Sequence, residues 1–136
     1  MKMLIIEDDI LQSLNLKLHL NDLGYNNVVI ANSLISVQEM TESERYDVIF
    51  CDIRMPDADG VALLSTYLTS QLNSAVIIAS GVDDNVQKLT KGMCNQLGYS
   101  YVGILKKPFS RQDLDMELKR FLEHKYKEKC TAPIMS

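Results

Sequence analysis

The sequence predicts an α/β protein, a three-layer sandwich in which one parallel β-sheet lies between two layers of helices. Short apolar runs rich in Val and Ile alternate five times with longer segments of helical spacing. Strands joined by crossover helices pair in parallel, and strands that are apolar along their length are typical of a sheet covered on both faces. The 136 residues are enough for one domain, and we expect no room for a second.

Each predicted element follows from one of these runs. The predicted strands are residues 3–6, 27–31, 48–52, 75–80 and 101–105. The predicted helices are residues 10–23, 33–43, 60–72, 84–98 and 110–126. Beyond Tyr126 the apolar pattern stops, so we expect a domain over residues 1–126 and a tail or the start of a linker over residues 127–136.

Turn and capping residues support these boundaries. Gly24 and Gly98 are expected to end helices, and Pro56 with Gly60 brackets a tight loop after the third strand. Ser110, followed three residues later by Asp113, is typical of a helix N-cap.

The first predicted helix carries two apolar stripes, because side chains recur at about 100° per residue. The two sets are Ile10, Leu11, Leu14 and Leu18 on one side, and Leu16, Leu20 and Leu23 on the other. One stripe must face the sheet. The other either packs sideways against the last helix, the alternative that we favour, or forms an exposed apolar surface for a partner or a second copy in a homodimer.

Charge is distributed unevenly along the chain. Residues 1–60 hold 4 basic and 11 acidic side chains, whereas residues 106–136 hold 8 basic and 5 acidic ones, within a net charge of -4. Nucleic-acid surfaces need clustered Lys and Arg, so we expect no direct nucleic-acid binding. The acidic first half instead favours binding of a cation.

Membrane insertion and disulfide bonding are not expected either. The longest apolar run is residues 75–79, whereas a membrane-spanning helix needs about 20 residues. The N-terminus is charged too early for a signal peptide, and the three cysteines are an odd number without CxxC spacing. We therefore expect a cytoplasmic protein.

Polar side chains stand where four of the five predicted strands end. Glu7–Asp9 follow the first strand, Asp52 ends the third, Ser80 and Gly81 end the fourth, and Lys107 follows the fifth. Ligands of doubly wound parallel sheets bind outside the carboxyl ends of the strands. These residues are therefore expected to converge on one edge.

Three of these side chains are carboxylates that would repel one another. The repulsion between Glu7, Asp8 and Asp52 is relieved by protonation or by a divalent cation. Mg²⁺ fits best, because it prefers a few carboxylates, a backbone carbonyl and water as ligands. A carboxylate beside this ion can attack a phosphoryl group and form an aspartyl phosphate.

The remaining strand-end residues suit the oxygens of such a phosphoryl group. Lys107 would offset one oxygen as a point charge. Ser80 could donate a hydrogen bond to another, and the backbone N–H of Gly81 would assist at a position where a side chain would crowd the approach.

Four strings in order then carry a resemblance. LIIEDD (4–9), CDIRMPDADG (51–60), IIASG (77–81) and KKPFS (106–110) resemble the signature of the response-regulator receiver domain of two-component signalling. The likeness extends over residues 2–126. It implies a doubly wound (βα)5, flavodoxin-like sheet of order 2-1-3-4-5. Residues 97–109 are also similar to receivers joined to cyclic-di-GMP phosphodiesterase domains.

The resemblance implies a role for each metal-site residue. Asp52 would be the phosphoacceptor and a ligand of Mg²⁺, and Asp8 would be a direct metal ligand. Glu7 would act on the metal largely through water, and Arg54 would lend its backbone carbonyl. Asp9 corresponds to no required ligand and is expected to favour the start of the following helix.

The resemblance also implies the residues of the switch. Ser80 would be the switch hydroxyl, and Lys107 the phosphate-contacting lysine before a cis-favouring Pro108. Ile104 stands where receivers commonly carry Tyr or Phe, so the readout surface is expected to differ, with Tyr101 or Tyr99 as candidate substitutes.

Function and partners follow from the same resemblance. The chain would take a phosphoryl group from a histidine kinase or phosphotransfer protein and switch a partner or a C-terminal output domain that this chain lacks. It would be a signalling phosphoacceptor, not a turnover enzyme. The alternative is a phosphorylation-independent pseudo-receiver that acts as an interaction module. A haloacid-dehalogenase-type hydrolase is disfavoured, because Arg54 stands where that class needs a second Asp.

Overall fold

The structure is a computed structural model of the chain, and it describes residues 1–55, 58–59, 62–71, 73–81 and 83–131. Its strands are β1 (Met3–Ile6), β2 (Val28–Ala31), β3 (Val48–Cys51), β4 (Arg54–Met55), β5 (Ala58–Asp59), β6 (Ala75–Ser80) and β7 (Tyr101–Lys106). Its α-helices are α1 (Ile10–Asp22), α2 (Leu34–Ser43), α3 (Asp84–Leu97) and α4 (Arg111–Thr131). A π-helical turn (Leu63–Tyr67) and a 3-10 turn (Thr69–Gln71) precede β6. The predicted loop at Pro56 and Gly60 lies outside the described residues.

Five parallel strands form the main sheet in the order β2-β1-β3-β6-β7. Counting only these strands, this is the predicted order 2-1-3-4-5, which is confirmed. The register aligns the strand ends: Ile6 pairs with both Ala31 and Cys51, and Ser80 pairs with Lys106. The residues that follow these strands therefore emerge along one edge.

Apolar side chains cover both faces of the sheet. Along β1, Leu4 and Ile6 belong to one buried cluster, and Met3 and Ile5 belong to the other. This alternation requires apolar residues at every strand position, since neither face meets water. The predicted three-layer sandwich is confirmed.

The predicted caps form as expected at the described helix ends. Asp9 is the N-cap of α1 and accepts a hydrogen bond from the backbone N–H of Gln12 at 3.1 Å. Ser110 and Asp113 exchange backbone-to-side-chain hydrogen bonds of 2.9 and 3.1 Å. Gly24 and Gly98 follow helices with φ near +100°, a conformation that favours glycine.

The segment predicted as a third helix, residues 60–72, is not a regular α-helix where it is described. The backbone N–H of Leu68 donates to the carbonyl of Leu63 at 2.9 Å, the five-residue spacing of a π-helix. This wide turn lets Leu63, Leu64 and Leu68 all reach the core, where each is fully buried. The β4–β5 pairing was not predicted, because two-residue strands carry no periodic signal.

The last helix continues to Thr131, five residues beyond the predicted end at residue 126. Its buried face is Leu114, Leu118 and Phe121, and the later turns are exposed as far as side chains are described. Apolar periodicity indicates only the part of a helix that covers the sheet, so a solvated extension escapes it. The division into residues 1–126 and 127–136 stays a prediction.

The two stripes of α1 separate cleanly. Leu16 and Leu20 are buried against the sheet. The other stripe is exposed to solvent: Ile10, Leu11, Leu14 and Leu18. The favoured expectation that this stripe packs against the last helix is wrong, because its four side chains are 47–79% exposed. Arg111 at the start of α4 instead contacts the end of α1, at 2.6 Å from Asp22 and 3.3 Å from His19. No described helix is long and apolar enough to cross a membrane.

The difference in burial between the two stripes of α1 predicts unequal losses of stability for the same Leu→Ala change. Leu20→Ala should lower the free energy of unfolding by about 2–5 kcal/mol, because it leaves a cavity in the core. Leu14→Ala, the matched change on the exposed stripe, should lower it by about 0.5 kcal/mol or less. Urea denaturation followed by circular dichroism measures both, and equal losses would contradict the assignment of the two stripes.

Candidate functional site

Parallel pairing brings the ends of β1 and β3 together. The backbone N–H of Asp52 donates to the carbonyl of Ile6 at 3.1 Å, and that of Glu7 donates to Ala31 at the same distance. The ladder thus continues one residue past each strand. Glu7 and Asp52 therefore leave adjacent strands side by side, as the sequence predicts.

A cluster of three carboxylates forms at this edge. One oxygen from each of Glu7, Asp8 and Asp52 lies within 4.8 Å of the other two. Glu7 and Asp52 are buried, with exposed fractions of 5% and 9%, and Asp8 is half-buried. Carboxylates held this close and removed from water are costly unless a cation or a proton offsets their charge.

Lys107 supplies one positive charge to the cluster. Its Nζ lies 2.5 Å from Oε1 of Glu7, 2.5 Å from Oε1 of Gln12 and 3.5 Å from Oδ2 of Asp52. The peptide bond between Lys107 and Pro108 is cis, as expected. Gln12 was not predicted as a site residue, because a polar residue in the first turn of a helix resembles any solvated position.

The pKa of Glu7 is raised to about 7, first by burial and then by the neighbouring carboxylate of Asp52. The hydrogen bond from Lys107 acts in the opposite direction but does not reverse the shift. Glu7 therefore binds a proton near neutral pH more readily than an exposed glutamate does. This raised pKa reflects first the removal of the Glu7 carboxyl from water and then the negative charge of Asp52 beside it.

The backbone just after Asp52 donates a hydrogen bond to the Asp52 carboxylate. The backbone N–H of Arg54 donates to Oδ1 of Asp52 at 3.1 Å, while the Arg54 side chain is exposed. This bond orients the carboxylate and places the Arg54 backbone beside it. The role predicted for the Arg54 carbonyl stays a prediction.

Ser80 is the last residue of β6, and Gly81 follows it. In the sheet, β3 lies between β6 and β1, the strand that precedes Glu7. Ser80 is buried, and its carbonyl accepts the backbone N–H of Lys107 at 3.1 Å and the side-chain amide of Gln87 at 2.9 Å. A Cβ built on Gly81 would meet Cβ of Lys107 at 3.8 Å, an ordinary contact. Packing within the protein therefore does not require glycine at position 81.

Solvent reaches the cluster through a cavity of about 370 Å³. Asp52 and Lys107 line its polar part, and Leu16, Phe50 and Phe109 line its apolar part. The cavity opens between α1 and the segment after β7. A reactant can therefore approach Asp52 from the α1 side of the sheet edge.

The two tyrosines proposed as substitutes for an aromatic residue at position 104 are engaged elsewhere. The Tyr101 hydroxyl donates to Oε1 of Glu117 at 3.0 Å, and the Tyr99 hydroxyl donates to the carbonyl of Leu64 at 2.6 Å. Ile104 is half-buried and carries no side-chain polar atom. In this structure, neither tyrosine takes the position of the expected aromatic residue.

The cluster suits a divalent cation with oxygen ligands. Its three described donors are hard carboxylate oxygens within 4.8 Å of one another. Burial, and to a smaller extent the Asp52 carboxylate, raises the pKa of Glu7. Mg²⁺ prefers a small number of carboxylates completed by carbonyl oxygens and water. Glu7, Asp8 and Asp52 therefore fit this ion chemically.

Comparison with known proteins gives a consistent result. A sequence model of the response regulator receiver domain matches residues 3–119. The transcriptional regulatory protein ZraR of Escherichia coli (strain K12) is 28% identical over 138 residues, which cover 98% of this chain and 29% of ZraR. The cyclic di-GMP phosphodiesterase RocR of Pseudomonas aeruginosa is 35% identical over 75 residues, which cover 55% of this chain and 19% of RocR. The chain thus spans less than a third of either relative.

A solved structure agrees with the fold and with the chemistry of the cluster. The receiver domain of the sensor histidine kinase PA1611 from Pseudomonas aeruginosa PAO1 is 26% identical, with a TM-score of 0.72. The likeness covers 90% of this chain and 97% of that one. That structure has a magnesium ion coordinated in its active site cleft.

The raised pKa of Glu7 predicts a pH-dependent effect of Glu7→Gln in metal-free buffer. Protonated Glu7 stabilises the fold below pH 4.5, and this stabilisation is lost as pH rises through about 7. Glutamine imitates the protonated form, so the variant should exceed the wild type by about 1–3 kcal/mol in free energy of unfolding at pH 8. The difference should vanish near pH 4.5.

Urea denaturation at several pH values, with EDTA present, measures this difference. Glu42→Gln on the exposed side of α2 is the matched control, and it should change stability by about 0.5 kcal/mol or less at every pH. A Glu7→Gln protein less stable than the wild type at pH 8 would show that Lys107 stabilises the ionised carboxylate fully.

Proposed function

Because the chain belongs to the family of response regulator receiver domains, we propose that it accepts a phosphoryl group on Asp52 from a histidine kinase or a phosphotransfer protein. The observation that carries this proposal is the buried Asp52 carboxylate, set between two acidic neighbours and the Lys107 ammonium at the sheet edge. Receiver domains are signalling phosphoacceptors, not turnover enzymes. The step occurs once per signalling event and modifies the protein itself.

The proposed step is a displacement at phosphorus. One oxygen of the Asp52 carboxylate attacks the phosphorus of a phosphohistidine, so a P–O bond forms as the P–N bond breaks. The imidazole nitrogen leaves with the electron pair and takes up a proton. The backbone N–H of Arg54 holds Oδ1 of Asp52 during the attack, which fixes the orientation of the carboxylate.

Glu7, Asp8 and Asp52, with the backbone carbonyl of Arg54, would hold Mg²⁺ in this site. When bound, the ion neutralises negative charge on the transferring phosphoryl oxygens. Glu7 supplies its charge from a buried position, and Asp8 supplies its charge from a half-buried one. Together the carboxylates keep the site negative enough to attract a divalent cation.

Lys107, Ser80 and Gly81 would bind the phosphoryl group after transfer. The Lys107 ammonium already lies 3.5 Å from Asp52, so it is placed to offset the charge of a phosphoryl oxygen. The Ser80 hydroxyl and the Gly81 backbone N–H would donate to other oxygens. The free energy of these contacts favours one conformation of the domain over another.

The phosphorylated form would act on a partner protein or on an output domain. The matched segment is 29% of ZraR, a transcriptional regulatory protein, so that relative has room for further domains. The exposed α1 stripe lies beside the cluster and offers a surface for a phosphodonor protein or for a second copy. Such a receiver would act in the cytoplasm.

Asp52→Asn tests the proposal. The wild type, incubated with acetyl phosphate and Mg²⁺, should gain the mass of one phosphoryl group, and Asp52→Asn should gain none, because the amide is not a nucleophile toward phosphorus. Intact-protein mass spectrometry measures both. Asp115→Asn on α4 is the matched control and should be modified like the wild type. EDTA should abolish modification of the wild type and of Asp115→Asn.

Two outcomes would contradict the proposal. A wild-type protein that gains no phosphoryl group would favour the alternative of a phosphorylation-independent pseudo-receiver. A gain that persists in Asp52→Asn would move the acceptor to another residue.

A further inference from the structure

The carbonyl of Ser80 accepts hydrogen bonds from two different segments of the chain. It accepts the backbone N–H of Lys107 at 3.1 Å and Nε2 of Gln87 at 2.9 Å. One peptide group therefore joins the end of β6 to the residue after β7 and to α3. Ser80 and Lys107 are both expected to contact a phosphoryl group, whereas Gln87 has no predicted role.

Gln87 is a buried amide in the first turn of α3. Its exposed fraction is 3%, and its backbone N–H donates to the carbonyl of the N-cap residue Asp83 at 3.2 Å. A buried amide is retained at little cost only when its polar atoms have partners. The bond to Ser80 therefore fixes the start of α3 against the end of β6.

A second contact joins the same region on the solvent side. Nζ of Lys106 lies 3.0 Å from Oδ1 of Asp84, and both side chains are well exposed. Exposed ion pairs hold elements together weakly. The buried bond of Gln87 is therefore the stronger of these two polar links between the strand ends and α3.

Position 104, where receivers commonly carry Tyr or Phe, has no aromatic side chain that could transmit a movement of Ser80. Ile104 offers no polar group, and the hydroxyls of Tyr99 and Tyr101 are bound to Leu64 and Glu117. Movement at Ser80 must therefore reach the surface by another contact. The hydrogen bond that Gln87 donates to the Ser80 carbonyl is one contact that leads from Ser80 to α3.

We infer that Gln87 is a positioning residue that couples Ser80 to α3, so that α3 carries the readout in this receiver. This inference rests on the proposed function. In this coupling the backbone of Ser80 shifts as its hydroxyl approaches a phosphoryl oxygen, and the peptide carbonyl shifts with the backbone. Gln87 follows, because separating a buried amide from its acceptor is unfavourable. The first turn of α3 is thereby displaced, and the exposed Leu89 on that helix moves with it.

Gln87→Met tests the coupling, because methionine keeps a similar length and removes the amide. The readout is backbone hydrogen exchange over residues 84–97, with and without acetyl phosphate and Mg²⁺. Phosphorylation should change the wild-type exchange rate about fivefold or more, the lower end of typical coupling. In Gln87→Met the change should be less than about twofold, with Asp52 still modified. Gln96→Met, the same substitution at an exposed position of α3, should respond like the wild type.

The outcomes separate the inference from the proposed function. A Gln87→Met protein that is phosphorylated and responds fully in α3 overturns the inference, as does a phosphorylated wild type with unchanged α3. A wild type that takes no phosphoryl group overturns the proposed function first.

If Gln87→Met does not fold, a measurement on the wild type alone tests the coupling. The side-chain amide signals of Gln87 in the ¹H–¹⁵N spectrum of the wild type should shift on phosphorylation together with the α3 backbone. Unchanged Gln87 signals beside a shifted α3 would contradict the coupling.

Discussion

The contact of the Lys107 ammonium with Glu7 and Asp52 is the interaction on which the site depends. Parallel pairing of β1 with β3 forces two carboxylates into neighbouring buried positions, and Asp8 adds a third. One lysine offsets only part of this charge, and the pKa of Glu7 stays raised because its carboxyl is buried and lies beside Asp52. The remaining negative charge would bind a divalent cation. The Lys107 ammonium would then contact a phosphoryl group on Asp52.

Most of the fold could be predicted because the main sheet is covered on both faces. Every strand of that sheet must then be apolar along its length, and this leaves a clear signal in the sequence. The signal fails where burial does not follow a regular period. The π-helical turn at residues 63–67 buries Leu63, Leu64 and Leu68 together. The helix α4 continues to Thr131, and its residues 122–128 are exposed. The packing of the second stripe of α1 was predicted wrongly, because periodicity defines a stripe but not its neighbour.

The site was predictable to the extent that it lies on the chain immediately after strands. Glu7, Asp8, Asp52 and Lys107 were expected at one edge, and the structure brings them together. Gln12 and Gln87 were missed, although each donates to or accepts from a site residue. A glutamine on a helix has no sequence pattern that separates a buried partner from a solvated one. Such residues require the tertiary structure, and they orient the groups that the strands deliver.

Asp52 is the residue proposed to carry the phosphoryl group, and locating the acyl phosphate in the chain tests this assignment. Protein incubated with a phosphohistidine donor and Mg²⁺ can be treated with borohydride, which reduces an aspartyl phosphate to homoserine. Tandem mass spectrometry then identifies the reduced position. Our account predicts homoserine at position 52, while Asp8 stays intact. Reduction at Asp8, or at no aspartate in a protein that binds Mg²⁺, would contradict it.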